Sequence, residues 1–380
     1  MRILLVSSSS GSRGGGEIFL IYLGEALAAA GHSVGVWASN HSRMDEFAGR
    51  CGRFGEVVRF DYKNTYDRWH RGALPSGGQN PRAIAASWTK WHPDVIHINK
   101  QNLEDGLDLL PAAGLAGIPH LCTIHITQSA GFLGARFSML RDLLARRALR
   151  QFRGPLVAVA PVRAAALSSF LQSRGDVRFI LNGVAPSPAD DHARAARRLR
   201  EEIPEGSIAV VAVGRLEAQK SPLRFLEYAE RILRVEPRAV FRWFGGGRME
   251  PEWDRMVACR GLGSAVSRIA WRNDVRAVLP AYDLFLHSAA FEGLSLAILE
   301  AMDAALPCAI EQPVHGQLPV DLQACAIPAS DATDWAELLR DRKHLAELGQ
   351  AARATVRTAY STTAMARAYA ELYRELCPIR

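Results

Sequence analysis

The chain runs to 380 residues, 48% hydrophobic and 22% charged, a globular make-up too long for one ordinary core, so two domains are expected. Its 46 Lys and Arg against 39 Asp and Glu, with an isoelectric point of about 9.3, favour anionic partners, whether phosphates, nucleic acid or an anionic membrane surface. No apolar run reaches the ~18 residues that span a bilayer, and six scattered cysteines show no C-x-x-C or Cys/His ligand spacing. Several of them lie in apolar strand-like runs and read as reduced, buried thiols, and the opening Met1-Arg2-Ile3-Leu4-Leu5-Val6 reads as a strand and not a signal peptide, so a cytoplasmic location is expected.

In chain order, residues 2–7 form a continuous apolar run of the kind found in parallel sheets buried on both faces. Next come Ser8-Ser9-Ser10-Gly11-Ser12-Arg13-Gly14-Gly15-Gly16-Glu17 and a helical pattern over residues 18–30, closed by Gly31. Strand, glycine-rich loop and helix make a device for approaching phosphate, because glycine lets backbone amides come close to an anion. The spacing is G-x-x-G-G-G, and the second strand (33–39) ends in Asn40 where a ribose-binding acid would be expected, which argues against a dehydrogenase.

Further strands are expected at 57–60, 95–98, 120–124, 156–160 and 179–181, with helices at 81–91, 103–113 and 137–152. This alternation predicts a doubly wound parallel sheet. Residues 61–79, including Tyr62, Tyr66, Arg68, Trp69 and His70, are expected to form a long surface loop. Asn182-Gly183 is a turn signal, and residues 185–191, with Asp190-Asp191, read as an interdomain linker. After an Arg- and Ala-rich helix at 192–201 the alternation restarts, with strands at 208–213, 239–244, 266–270, 284–287 and 307–310. The expectation is an α/β protein of two Rossmann-like domains facing across a cleft, residues 1–184 and 185–361. A final helix within 362–380 can pack on either half, the N-terminal one being the candidate.

Two stretches of the second half carry candidate chemistry. Gly214-Arg215-Leu216-Glu217-Ala218-Gln219-Lys220 places two cations just past a strand end, where ligands gather in open α/β sheets. Phe291-Glu292-Gly293-Leu294-Ser295-Leu296-Ala297-Ile298-Leu299-Glu300 reads as a loop followed by a helix from Gly293, with a glutamate in the loop and another on the helix. The amides of Gly293, Leu294, Ser295 and Leu296 form a seat for phosphate, with Glu292 towards a sugar and Glu300 towards ribose hydroxyls. Two surface cations and an ordinary amphipathic helix are the alternative reading of the same residues.

Taken together and in order, Gly14-Gly15-Gly16-Glu17, Thr123-Ile124-His125, Leu181-Asn182-Gly183, Gly214-Arg215-Leu216 with Lys220, Phe244-Gly245-Gly246-Gly247 and the Glu292/Glu300 pair resemble one family. It is the retaining GT-B glycosyltransferases with an E-x7-E motif, family 4, group 1 type. The resemblance implies a nucleoside-diphosphate sugar as donor, a hydroxyl acceptor, retention of configuration, and neither metal nor cofactor. By it Arg215 and Lys220 hold the diphosphate, Glu300 the ribose and Glu292 the transferred sugar. Gly293, Leu294, Ser295 and Leu296 lend amides, Gly15 and Gly16 close on the phosphate, and His125 points towards the sugar. Arg272 lies in the region contacting the base, with uridine and guanosine both open. Glu17, Asn182 and Arg163 are candidates on the acceptor side, and no nucleic-acid partner is expected. A sugar-nucleotide epimerase and a non-catalytic nucleotide-sugar binder are the competing readings.

The sequence departs from the family's pattern at Ala305, where glycine is usual, at His287-Ser288, where Pro-Ser is common, and in the loop after Ile310. That loop lies near the sugar, so donor identity is the least determined point. Residues 132–153 set Phe137, Leu140, Leu143 and Leu144 against Arg136, Arg141, Arg146, Arg147 and Arg150. Two readings stay open: a basic amphipathic helix peripheral on an anionic membrane, or one that packs its apolar face and solvates the other.

Overall fold

The structure, a computed structural model, describes residues 1–11, 14–65, 79–187 and 194–378. Ser12, Arg13, most of the aromatic loop including Tyr66 to His70, and Asp190-Asp191 lie outside the described residues. The chain divides into two compact units, residues 1–183 with 362–380, and residues 184–361.

The first unit alternates β1 (Arg2–Ser7), α1 (Gly15–Ala29), β2 (Ser33–Ser39), α2 (Asp45–Cys51), β3 (Glu56–Phe60), α3 (Pro81–Thr89) and β4 (Val95–Asn102). It continues with α4 (Leu109–Ala116), β5 (His120–Ile126), α5 (Ser138–Gln151), β6 (Leu156–Ala158), α6 (Pro161–Phe170) and β7 (Val177–Phe179). All pairings are parallel, in the order β3-β2-β1-β4-β5-β6-β7. Ile3 to Val6 are fully buried because helices cover both faces of the sheet. α1 is apolar nearly all round, with Phe19, Leu20, Ile21, Tyr22 and Leu23 buried, as a helix enclosed on every side must be.

The second unit holds α7 (Arg194–Arg200), β8 (Ala209–Val213), α8 (Pro222–Val235), β9 (Val240–Phe244), α9 (Glu250–Cys259), β10 (Val266–Ile269), β11 (Leu284–His287), α10 (Leu296–Asp303), β12 (Cys308–Glu311), β13 (Ile327–Ala329) and α11 (Arg342–Ala359). Its sheet order is β10-β9-β8-β11-β12-β13, again parallel. The last helix, α12 (Thr362–Leu376), belongs to the first unit and covers α1. There the Tyr373 hydroxyl meets His97 Nδ1 at 2.7 Å, Thr123 Oγ1 meets His97 Nε2 at 2.8 Å, and Tyr369 reaches Thr123 at 2.8 Å.

Several boundaries differ from the sequence expectation, each for a tertiary reason. α1 starts at Gly15, inside the glycine run, where Asn99 Nδ2 donates to the Gly16 carbonyl at 3.1 Å and offsets glycine's poor propensity. α4 starts at Leu109 and not 103, because Asn102 Oδ1 accepts from the amides of Glu104 and Asp105 and holds a turn instead. α10 starts at Leu296 and not Gly293. The strand expected at 179–181 ends at Phe179, and β13 was not anticipated. The first part of the expected linker is fastened down: Val184 bridges to Ser361, the Ser187 amide donates to Asp303, and Arg357 donates to the Ser187 carbonyl at 3.2 Å.

Candidate active site

In an open parallel sheet a crevice forms where the strand order reverses, at the carboxyl ends of the two central strands. In the second unit that point lies between β8 and β11, paired with Leu284 opposite Val210 and Phe285 opposite Val211. The loop after β8 is pinned from β9: the Trp243 indole donates to the Gly214 carbonyl at 2.8 Å, and Leu216 N donates to Gly246 O at 3.0 Å. Gly245 (φ +127°) must be glycine, since an added Cβ would collide with the Gly214 carbonyl.

The loops after β8 and β11 are then stitched to each other. Ala290 N donates to Gln219 O at 2.9 Å, Gln219 Nε2 to Phe291 O at 3.2 Å, and Ser288 Oγ to Lys220 O at 3.0 Å. These bonds set the Lys220 ammonium against Glu292 Oε1, and His287 Nε2 reaches the same oxygen at 3.1 Å. Burial would raise the Glu292 carboxyl, but Lys220 and the His287 bond outweigh it and pull it down to about 2. Burial lowers His287, so the ring is neutral and donates Nε2–H to the carboxylate. Glu292 is thus an anchored carboxylate, ionised at neutral pH, whose Oε2 takes no hydrogen bond among the described residues.

Arg215, by contrast, is exposed and makes no ion pair among the described residues. Glu300 is buried one turn into α10. Because α10 begins at Leu296, Gly293, Leu294 and Ser295 form the loop ahead of it, and the open first-turn amides are those of Leu296, Ala297 and Ile298. The phosphate seat inferred for Gly293 to Leu296 is corrected to that extent. The Arg272 guanidinium is gripped by Asp274 at 2.6 Å and Glu201 at 3.1 Å, so its fork is already filled by carboxylates.

In the first unit the order reverses between β1 and β4. Gly15, Gly16 and Glu17 form the first turn of α1 after β1, and Glu17 is buried, with Gln101 Nε2 at 3.4 Å from its Oε1. His125, near the end of β5, meets Asn99 Oδ1 through Nε2 at 2.8 Å. Since the Asn99 amide nitrogen donates to Gly16 O, its oxygen faces the ring, and Nε2 must carry the proton. Burial pushes His125 down to about 4, so the ring is neutral with Nδ1 as acceptor, and Phe19 packs edge-on against it at 4.8 Å. Arg163 and Asn182 are buried, but they follow β6 and β7 towards the sheet edge, away from the β1/β4 reversal.

Sequence reasoning missed Asn99, Gln101 and the role of His287. The first two carried a signal: polar residues closing an otherwise apolar strand, Ile96-His97-Ile98-Asn99-Lys100-Gln101. Among the described residues, no three His, Cys, Asp or Glu side chains come together as a metal site.

Two parallel, doubly wound units, each with polar residues gathered at its strand-order reversal, define a two-domain Rossmann-like α/β protein. The family model described as Glycosyltransferase Family 4 matches residues 13–187, and that for Glycosyl transferases group 1 matches residues 207–341. The chain belongs to this glycosyltransferase family. It is 36% identical over 107 residues to the UDP-Gal:alpha-D-GlcNAc-diphosphoundecaprenol alpha-1,3-galactosyltransferase of Escherichia coli. That match spans 27% of this chain and only 28% of the relative. HepE of Anabaena, solved in complex with UDP and glucose, is similar with a TM-score of 0.77 at 18% identity over 99% of this chain and 100% of that one. Sucrose-phosphate synthase from Thermosynechococcus elongatus follows with a TM-score of 0.76 at 20% identity over 99% and 98%. At such identities the likeness is one of fold, and the fold is GT-B.

Proposed function

We propose that this protein is a retaining glycosyltransferase moving a sugar from a UDP-sugar to a hydroxyl acceptor without a divalent metal. The observation that carries the reading is the cluster at the β8/β11 reversal, where Lys220 and His287 converge on one oxygen of a buried, ionised Glu292. Uridine as the base is supported by HepE, whose crystals hold UDP, and by the E. coli relative, named for UDP-Gal.

On this reading the diphosphate sits at the open amides of α10 between Lys220 and Arg215, which neutralise the charge that grows on it as the anomeric bond breaks. Glu300 holds the ribose. Glu292, anchored through Oε1, turns Oε2 to the sugar and stabilises the positive charge building at the anomeric carbon. A carboxylate held by a lysine and a histidine suits that electrostatic role better than covalent attack. Within the first unit, His125 offers its unprotonated Nδ1 to a hydroxyl of the acceptor. The lipid-diphosphate acceptor in the E. coli relative's name makes a lipid-linked sugar hydroxyl the first acceptor to try.

The test is a transfer assay with UDP-glucose and UDP-galactose in EDTA, reading UDP release and the anomeric configuration of the product by NMR. The expected outcome is a product with the donor's α configuration at an undiminished rate. Inverted product, or strict dependence on Mg²⁺ or Mn²⁺ restored on re-addition, would overturn the reading.

A further inference from the structure

β4 carries a row of polar side chains along one face. Successive residues of a strand point to opposite sides, so His97, Asn99 and Gln101 all line the side that faces α1. His97 is fully buried, with both ring nitrogens occupied by Tyr373 and Thr123. Asn99 is buried as well and is taken up by the Gly16 carbonyl and by His125. Gln101 is half-buried, and the row reaches solvent there.

A primary carboxamide has two hydrogens to donate and two lone pairs to fill. Gln101 uses one hydrogen, donated by Nε2 to Glu17 Oε1 at 3.4 Å. Its Oε1 and its second Nε2 hydrogen form no hydrogen bond among the described residues.

This half-used amide is nevertheless held in place. It lies against the α-carbon of Gly16, where an added Cβ would stand 2.0 Å from Nε2 and 2.3 Å from Oε1. Helix propensity argues for alanine at position 16, inside α1, but only glycine leaves the space that Gln101 fills. The Gln101 backbone amide donates to Asp105 Oδ2 at 2.7 Å, and the same oxygen accepts Ser8 Oγ at 2.8 Å, which ties the end of β4 to the loop after β1. Asp105 is buried, so water does not compete for these bonds. Gly16 is a shared support: Asn99 holds its carbonyl and also reaches His125, so Gln101 and His125 are fixed to one turn of α1.

Ligands of open parallel sheets bind at the strand-order reversal, and Gln101 closes β4 at the β1/β4 reversal. One acceptor and one donor side by side match two neighbouring hydroxyls of a sugar ring. The first gives its hydrogen to Oε1, and the second accepts from Nε2.

We propose that Gln101 is a specificity-determining residue of the first unit, binding the acceptor through two neighbouring hydroxyls, so that the acceptor is a sugar and not a simple alcohol. This assignment deepens the transfer reaction proposed above and rests on it.

The test is binding of hexyl β-glucoside, hexyl β-galactoside and hexyl N-acetyl-β-glucosaminide to the full chain in the presence of UDP, by saturation-transfer NMR and titration calorimetry, with hexanol as the control. Wild type should bind at least one glycoside more tightly than hexanol, with saturation strongest on ring protons. Gln101→Ala should weaken that glycoside about tenfold, two neutral hydrogen bonds being lost, and leave UDP affinity and the thermal midpoint in place. Gly16→Ala, which removes no polar group but pushes the amide aside, should weaken it by a similar factor. No binding by any of the three glycosides, hexanol bound as tightly, or unchanged glycoside affinity in Gln101→Ala would overturn the proposal. Transfer is read separately. Gln101-dependent sugar binding with no transfer from any UDP-sugar would defeat the reaction and leave a sugar site. Transfer with an acceptor KM that Gln101→Ala leaves untouched would defeat the Gln101 assignment and spare the reaction.

Discussion

Lys220 and Arg215 share one loop but have opposite surroundings, which separates their expected effects. Lys220→Ala leaves the Glu292 charge buried with only His287 for company, so folding should weaken by about 3 kcal/mol as well as activity. Arg215 is exposed and unpaired among the described residues, so Arg215→Ala should leave the thermal midpoint in place. Both should lower kcat by about 10² if they neutralise the leaving diphosphate. Calorimetry beside steady-state kinetics checks both halves, and near-normal kcat in both variants would remove them from the mechanism. The two glutamates divide in the same way. Glu300→Ala should weaken donor and bare UDP alike, raising KM more than it lowers kcat, because ribose contacts are the same in ground and transition states. Glu292→Gln should cut kcat and spare UDP affinity, read by titration calorimetry. The opposite pattern would mean that the donor lies the other way along α10.

At the scale of elements, α10 shows how a departure from the family's pattern becomes a backbone statement. Its chain leaves through Ala304 into Ala305 at φ +59°, the left-handed exit usually made by glycine. An alanine there is strained, so Ala305→Gly should stabilise the protein by about 1 kcal/mol, seen as a raised urea midpoint at unchanged slope. A lowered midpoint would show that chain entropy outweighs the strain. α5 makes the complementary point, since a partner on another element decides which of its faces turns inward. Glu104, in the turn ahead of α4, draws Arg141 in, and Leu140 and Leu143, one and two positions away, are turned out.

At the scale of the whole molecule, the buried histidines set the response to acid. Burial pushes His97 down to about 3 and His125 to about 4, from an ordinary 6.5. The unfolded chain therefore binds more protons than the folded one in this window. The contribution is fully present above pH 6.5 and is lost as pH falls towards 4, at up to about 1.4 kcal/mol per pH unit for each ring. Glu292 acts in the same sense lower down, between its ordinary 4.5 and about 2. Asp105, raised to about 6 by burial, opposes the trend, because its contribution is restored as pH falls. Two rings against one carboxyl leave a net loss, so urea unfolding free energy should fall steadily from about pH 6.5 to 4. A flat profile would mean that these rings are not held neutral.

What the sequence by itself determined was the α/β class and the family. Apolar runs such as Ile3 to Val6, glycine turns such as Phe244-Gly245-Gly246-Gly247, and helical patterns are local, each set by a dozen neighbouring residues. The starts of α1, α4 and α10 were not legible in it. Local propensity puts them where helix formers begin, whereas hydrogen bonds between segments put them elsewhere, as Asn99 does for α1 across 83 residues. The candidate site divides on the same line. Lys220 and Glu292 could each be singled out as a charged residue past a strand end, but 72 residues separate them. Only the parallel pairing of β8 with β11 brings their loops together and turns two separate charges into one buried cluster with His287. Asn99 and His287 take their roles from the atoms opposite them, and the outward face of α5 from an ion pair made by another element. Those contacts arise from packing between distant segments, so only the tertiary structure could decide them.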